Sequence, residues 1–151
     1  MKNYELLSMV NAGILEITAN ELDAAHAYKV LKFKRAVKSA FDKLAEEELS
    51  LLREAGIHDP AAFDKERKEL SESGSNPERL AELDATMARF AALRDNLYKE
   101  EAQLDGVKTI PFSQFHILQK ENKELRNKPL NAFEILLEGI LWSETDNEEK
   151  E

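Results

Sequence analysis

The side chains able to do chemistry are three histidines, His26, His58 and His116, and thirty carboxylates. There is no cysteine, which excludes a disulfide framework, a thiolate metal site and a thiol nucleophile. The histidines fall in three different segments, and only Asp23-x-x-His26 sets a carboxylate one helical turn from an imidazole. A di-metal carboxylate bundle needs two Glu-x-x-His units and two further inward glutamates, and this chain has no such unit. The acids bunch as Glu46-Glu47-Glu48, Asp64 with Glu66, and Glu100-Glu101, beside Lys or Arg on segments that read as helix surface. Acid–base work is one use of such groups; a solvated helix face is the plainer one. Nucleophile elbows, phosphate-binding loops and dinucleotide fingerprints need patterned glycines, and the five present are not so arranged. We therefore expect no enzyme: no catalytic, cofactor-binding or metal-ligating residue is assigned.

Charge is more informative. The net charge is −9, yet residues 29–43 hold Lys29, Lys32, Lys34, Arg35, Lys38 and Lys43 against Asp42 alone. That stretch is +5 and the remainder −14. With Val30 and Val37 facing a core, Lys32, Lys34, Arg35 and Lys38 point sideways or outward, near Tyr28 and Phe33. A partner-facing or solvated flank is the preferred reading. A nucleic-acid surface is the alternative, set against an acidic chain with no helix-turn-helix or zinc-finger context. Pairing with acids of the second long helix or of the C-terminal tail is a further use for the stripe. Trp142, the single tryptophan, reads first as a core anchor and second as an interface residue.

The elements that position these groups follow from where helix breakers fall. Only nine residues are Gly or Pro, about half of average usage, which disfavours a turn-rich β-sandwich. Gly56, Pro60, Gly74, Pro77, Gly106, Pro111 and Pro129 divide the chain and leave 14–55 and 78–105 uninterrupted. Leu6, Val10, Ile14 and Ile17 predict an amphipathic helix over about 3–18, weakened by Gly13. Asp23 is the expected N-cap of a long helix over 24–55, whose Val30, Val37, Leu44 and Leu51 recur every seven residues. Gly56 ends it in a left-handed cap, with Ile57 folding back on Leu52.

Asp59-Pro60 restarts a short helix in a mostly solvated connector, 56–76, that ends in a loop-like Ser71-Glu72-Ser73-Gly74-Ser75. Asn76-Pro77 starts a second long helix, 77–104, seamed by Leu83, Phe90, Leu97 and Leu104. Arg94 and Glu101 interrupt that seam, either to specify register or because the seam widens and admits water. The C-terminal element, 107–142, begins with Val107-Lys108-Thr109-Ile110 as a short strand ended by Pro111. A helix capped by Ser113 then carries Phe115, Leu118 and Leu125, and Asn131 opens an apolar piece, 132–142, that is helix or strand. Residues 143–151 read as a disordered acidic tail.

The order of these features resembles a small prophage-encoded family of unknown function. Ala27-Tyr28-Lys29-Val30-Leu31-Lys32-Phe33-Lys34, after the amphipathic Leu15-Glu16-Ile17, matches the Ala-Tyr-Lys-hydrophobic start of that family's long helix. Ile110-Pro111-Phe112-Ser113-Gln114-Phe115 and residues 130–141 match its later strand-like and apolar segments. The chain departs from the pattern at Leu22-Asp23-Ala24, where proline is usual. The resemblance implies a phage or prophage accessory protein and assigns no activity.

The expectation is thus a mainly α single domain, 1–142. Two long antiparallel helices form a coiled-coil-like hairpin, with a short N-terminal helix and a small C-terminal strand/helix element. Such a hairpin buries one stripe per helix, so self-association or a protein partner is expected. Nucleic acid is the lesser partner. Glu5 and Asn11 interrupt any apolar leader, and the apolar patch at 135–142 is broken by Glu138. We therefore expect a cytoplasmic protein with no membrane association.

Overall fold

A computed structural model describes residues 1–145. The chain is mainly α: α1 (Asn3–Ala12), α2 (Ala24–Glu54), α3 (Pro60–Ser73), α4 (Pro77–Lys99), α5 (Phe112–Glu121) and α6 (Glu134–Leu137), with strands β1 (Ile110–Pro111) and β2 (Trp142–Ser143). It divides into two compact units, residues 43–100 and the rest, and α2 contributes to both. Among the described residues no helix is long and apolar enough to cross a membrane.

The first unit joins residues 1–42 to 101–145 around one apolar core. Val30, Phe33 and Val37 of α2 meet Leu6, Met9, Ile14 and Ile17 from the N-terminal side. From the C-terminal side come Ile110, Phe115, Leu118, Leu130, Leu137 and Leu141, all fully buried. The expected N-terminal helix stops at Ala12, six residues early. Gly13 takes φ +101°, closes the helix with its N–H on the Met9 and Val10 carbonyls, and leaves a single 3₁₀ turn, Ile14–Glu16. Its freedom at positive φ turns a weak helical position into the helix end.

The start of α2 is as expected: the Asp23 carboxylate accepts the backbone N–H of His26 at 3.0 Å. β1 and β2 pair in parallel, Ile110 with Trp142 and Pro111 with Ser143. The strand expected at 107–110 is therefore displaced, and Pro111 lies within it rather than after it. A two-residue strand needs few donors, so the missing N–H of proline is tolerated. α5 begins at Phe112 after Pro111, not on a Ser113 cap. Leu125 lies beyond it, bridged to Lys128. The apolar piece that follows is a 3₁₀ turn (Leu130–Phe133), then α6, then β2, without an Asn131 side-chain cap. Of the expected tail, Ser143 belongs to β2 and 146–151 lie outside the described residues.

The second unit holds the last part of α2 with α3 and α4. Here α2 ends one residue from the expected boundary. Ile57 N–H bonds the Leu52 carbonyl at 2.8 Å and Gly56 N–H the Arg53 carbonyl at 3.0 Å, with Gly56 at φ +98°. Asp59 and Asn76 cap α3 and α4 through the Ala62 and Arg79 backbone N–H groups, each ahead of a proline.

Two expectations fail here. The connector holds a fourteen-residue helix that runs through Ser71 to Ser73 before Gly74 stops it. α4 ends at Lys99, because Glu101 leaves the helix to bridge Lys2. Leu83, Phe90 and Leu97 are buried in α4, whereas Leu104 lies outside it and packs on the first unit's core. Arg94 pairs with no carboxylate among the described residues; its guanidinium covers the Phe90 and Tyr98 rings at 5.2 and 6.0 Å.

Phe33→Ala should lower unfolding free energy by about 3–5 kcal/mol in urea titrations, the usual cost of emptying a buried aromatic site. Gly56→Ala should cost about 1–2 kcal/mol, because alanine has no ready access to the left-handed cap.

Candidate interaction surface

The four cations of the α2 stripe differ in their contacts. Lys32 Nζ lies 5.2 Å from the centre of the Tyr28 ring. Lys34 Nζ reaches across to donate to the Ile17 carbonyl at 2.7 Å, tying the stripe to the segment after the 3₁₀ turn. Lys38 pairs with Asp42 at 2.7 Å, one turn on. Arg35 is exposed and makes no ion pair among the described residues. Lys34, Arg35 and Lys38 line an open groove of about 580 Å³ together with Leu15 and Leu31.

Trp142 lies elsewhere in the same unit and is 4% exposed. Its Nε1 donates to the Glu134 carbonyl at 2.8 Å, and its ring packs on Phe115 and Phe112, with centroids 5.7 and 4.9 Å away. This is the anchor of α5, α6 and the strand pair. Phe112, the outermost of the three rings, is 40% exposed.

Several groups with acid–base potential make contacts within the chain. His26 is buried, with Nδ1 2.8 Å from Asp23. His116 stacks on Phe112 and His58 is exposed on the other unit. Glu48 accepts the Tyr98 hydroxyl at 3.0 Å. Burial raises the Tyr98 pKa above the usual phenol value, and that hydrogen bond adds to it. Glu66 takes Arg79 at 2.8 Å. Glu101 takes Lys2 at 2.8 Å, and this contact holds its carboxyl below the usual range, with help from the α-amino group of Met1. Among the described residues no three His, Asp or Glu side chains are grouped to hold a metal ion.

One cluster carries no sequence signal. Glu121, at the end of α5, accepts the Thr18 hydroxyl and the backbone N–H groups of Asn20 and Glu21. Asn122 receives the Thr18 N–H at 2.9 Å and donates to the Thr18 carbonyl at 2.7 Å. The partners of Thr18 and Asn20 lie about a hundred residues away, beyond the reach of any local pattern. Burial works against ionisation of Glu121, but its three donors outweigh it and hold the carboxyl below the usual range.

Comparison with family models, with curated proteins and with solved structures finds no match.

A carboxyl more acidic in the folded chain than in the unfolded one binds fewer protons when folded. Its contribution is full above the unfolded pKa and is lost as pH falls through the folded one. Melting temperature should therefore fall on acidification through about pH 5 to 3. It should fall less steeply in Glu121→Gln, which thermal melts followed by circular dichroism would read.

Proposed function

We propose that this chain is a non-enzymatic interaction or assembly protein that works by binding another copy of itself or another protein. The observation that carries the reading is the outward face of α2, where Leu31 stays 40% exposed among Lys34, Arg35 and Lys38. Exposed apolar surface rimmed by charge is what a contact face offers. The layout it shares with the prophage-encoded family extends the reading to a phage or prophage accessory role. A nucleic-acid role for the stripe is the lesser reading, since the chain as a whole carries a net charge of −9 and would repel a polyanion.

The same proposal includes the antiparallel hairpin. Support comes from the order of the contacts within residues 43–100: Glu48 meets Tyr98, Glu66 meets Arg79 and Arg67 meets Asp84. Tyr98, at the end of α4, meets Glu48 of α2, while Arg79 and Asp84, nearer its start, meet Glu66 and Arg67 of α3, as antiparallel packing requires. In this reading the two arms are α2 and α4, and α3 lies in the connector between them.

Sedimentation velocity of the full chain at micromolar concentrations should show species heavier than one chain, growing with concentration. A compact monomer at every concentration would remove self-association from the reading.

A further inference from the structure

We propose that the outward face of α2 between Leu31 and Asp42 is a docking groove for an acidic amphipathic helix of a partner protein. The inference rests on the interaction reading above and supplies the partner's chemistry. Leu31, Lys34, Arg35, Lys38, Ser39 and Asp42 share the groove. Their spacing of three and four residues makes them one stripe of α2, about 16 Å long. Val30, Phe33 and Val37, buried in the core, occupy the other side of the helix. Leu15 adds a second apolar side chain from the 3₁₀ turn. The aliphatic stems of Lys34, Arg35 and Lys38, long enough to cover apolar surface beside a charged end, add to this lining.

Charge selects the occupant. Lys34 is anchored on a carbonyl rather than on a carboxylate, so its charge remains uncompensated at the groove wall. Arg35 is unpaired among the described residues, and only Lys38 is neutralised, by Asp42. The groove is therefore locally cationic in a chain of net charge −9. A phosphate backbone would satisfy the cations but would place nothing apolar against Leu15 and Leu31. The acidic remainder of the chain would also repel a long polyanion. A short helix with one apolar side chain per turn and flanking carboxylates satisfies both halves of the surface. Its carboxylates would have Arg35 for bidentate pairing and Lys34 as a point charge.

The test uses the full chain and fluorescein-labelled Ala/Glu/Leu peptides about four helical turns long, read by fluorescence anisotropy at low salt. The peptide with leucines along one face should bind. Its Leu→Ser counterpart should bind at least about tenfold more weakly, and its Glu→Lys counterpart should not bind. Leu31→Ser and Arg35→Glu, both at exposed positions, should each weaken binding about tenfold or more while keeping the wild-type thermal melt. Absence of binding, or equal binding of the leucine and serine peptides, would overturn the proposal. Displacement of the peptide by a DNA duplex of matched charge would assign the face to nucleic acid instead. Dissociation of a self-associated species by Arg35→Glu would assign it to a second copy. Should the peptide fail while sedimentation still shows association, only the groove is lost and the interaction reading stands.

Discussion

One stripe of α2 has to be covered, and the first unit is organised by that need. Val30, Phe33 and Val37 are almost fully buried, which no single short helix packed on one side would achieve. The cover comes from both directions along the chain: Leu6, Met9, Ile14 and Ile17 before α2, and the residues around Phe115, Leu130 and Leu141 after α4. Thr18 and Asn20 are then fastened to Glu121 and Asn122 by side-chain-to-backbone bonds. These bonds let a segment without regular structure be held close to the core, since its polar backbone groups keep partners. Lys34 serves the same end by bonding the Ile17 carbonyl. A residue that pattern alone assigns to the surface thus also fixes the cover over the core.

What could be read from the amino-acid sequence was local. The cap at Asp23, the Gly56–Ile57 ending, and the Asp59-Pro60 and Asn76-Pro77 starts rest on side-chain and backbone preferences within a few residues, and all four are found. Boundaries set by partners far along the chain were not legible. Nothing near Lys99 announces that the helix ends there, because the reason is a bridge between Glu101 and Lys2. The β1–β2 pairing was hidden for the same reason: it joins Ile110 to Trp142, and neither segment is long enough to show an alternating pattern. Of the residues singled out for contact, the four cations on α2 were grouped by position, but the structure separates Lys32 from the groove and gives Lys34 a structural bond.

The two surfaces of α2 illustrate how one sequence period serves two tasks. The residues facing the core and those lining the groove interleave along a single segment, one set apolar and the other cationic with a single exposed leucine. The core set tolerates little change, since interiors are packed to crystal-like density. Apart from Lys34, which holds the Ile17 carbonyl, the outer set is free to vary without loss of the fold, so it is the part of this helix able to acquire or change a binding preference.

The division into units also has a kinetic side. Residues 43–100 form one contiguous unit, and the widest side-chain hydrogen bond described in it, Tyr98 to Glu48, spans fifty residues. The unit around them is discontinuous, and its clasp joins Thr18 to Glu121 across a hundred residues. Contacts between distant residues carry the larger loop-closure entropy and form more slowly. When residues 43–100 fold first, they shorten the effective loop that the outer unit must close. The outer core also needs Leu130, Leu137, Leu141 and Trp142, so its cover is complete only when nearly all of the described chain has been made.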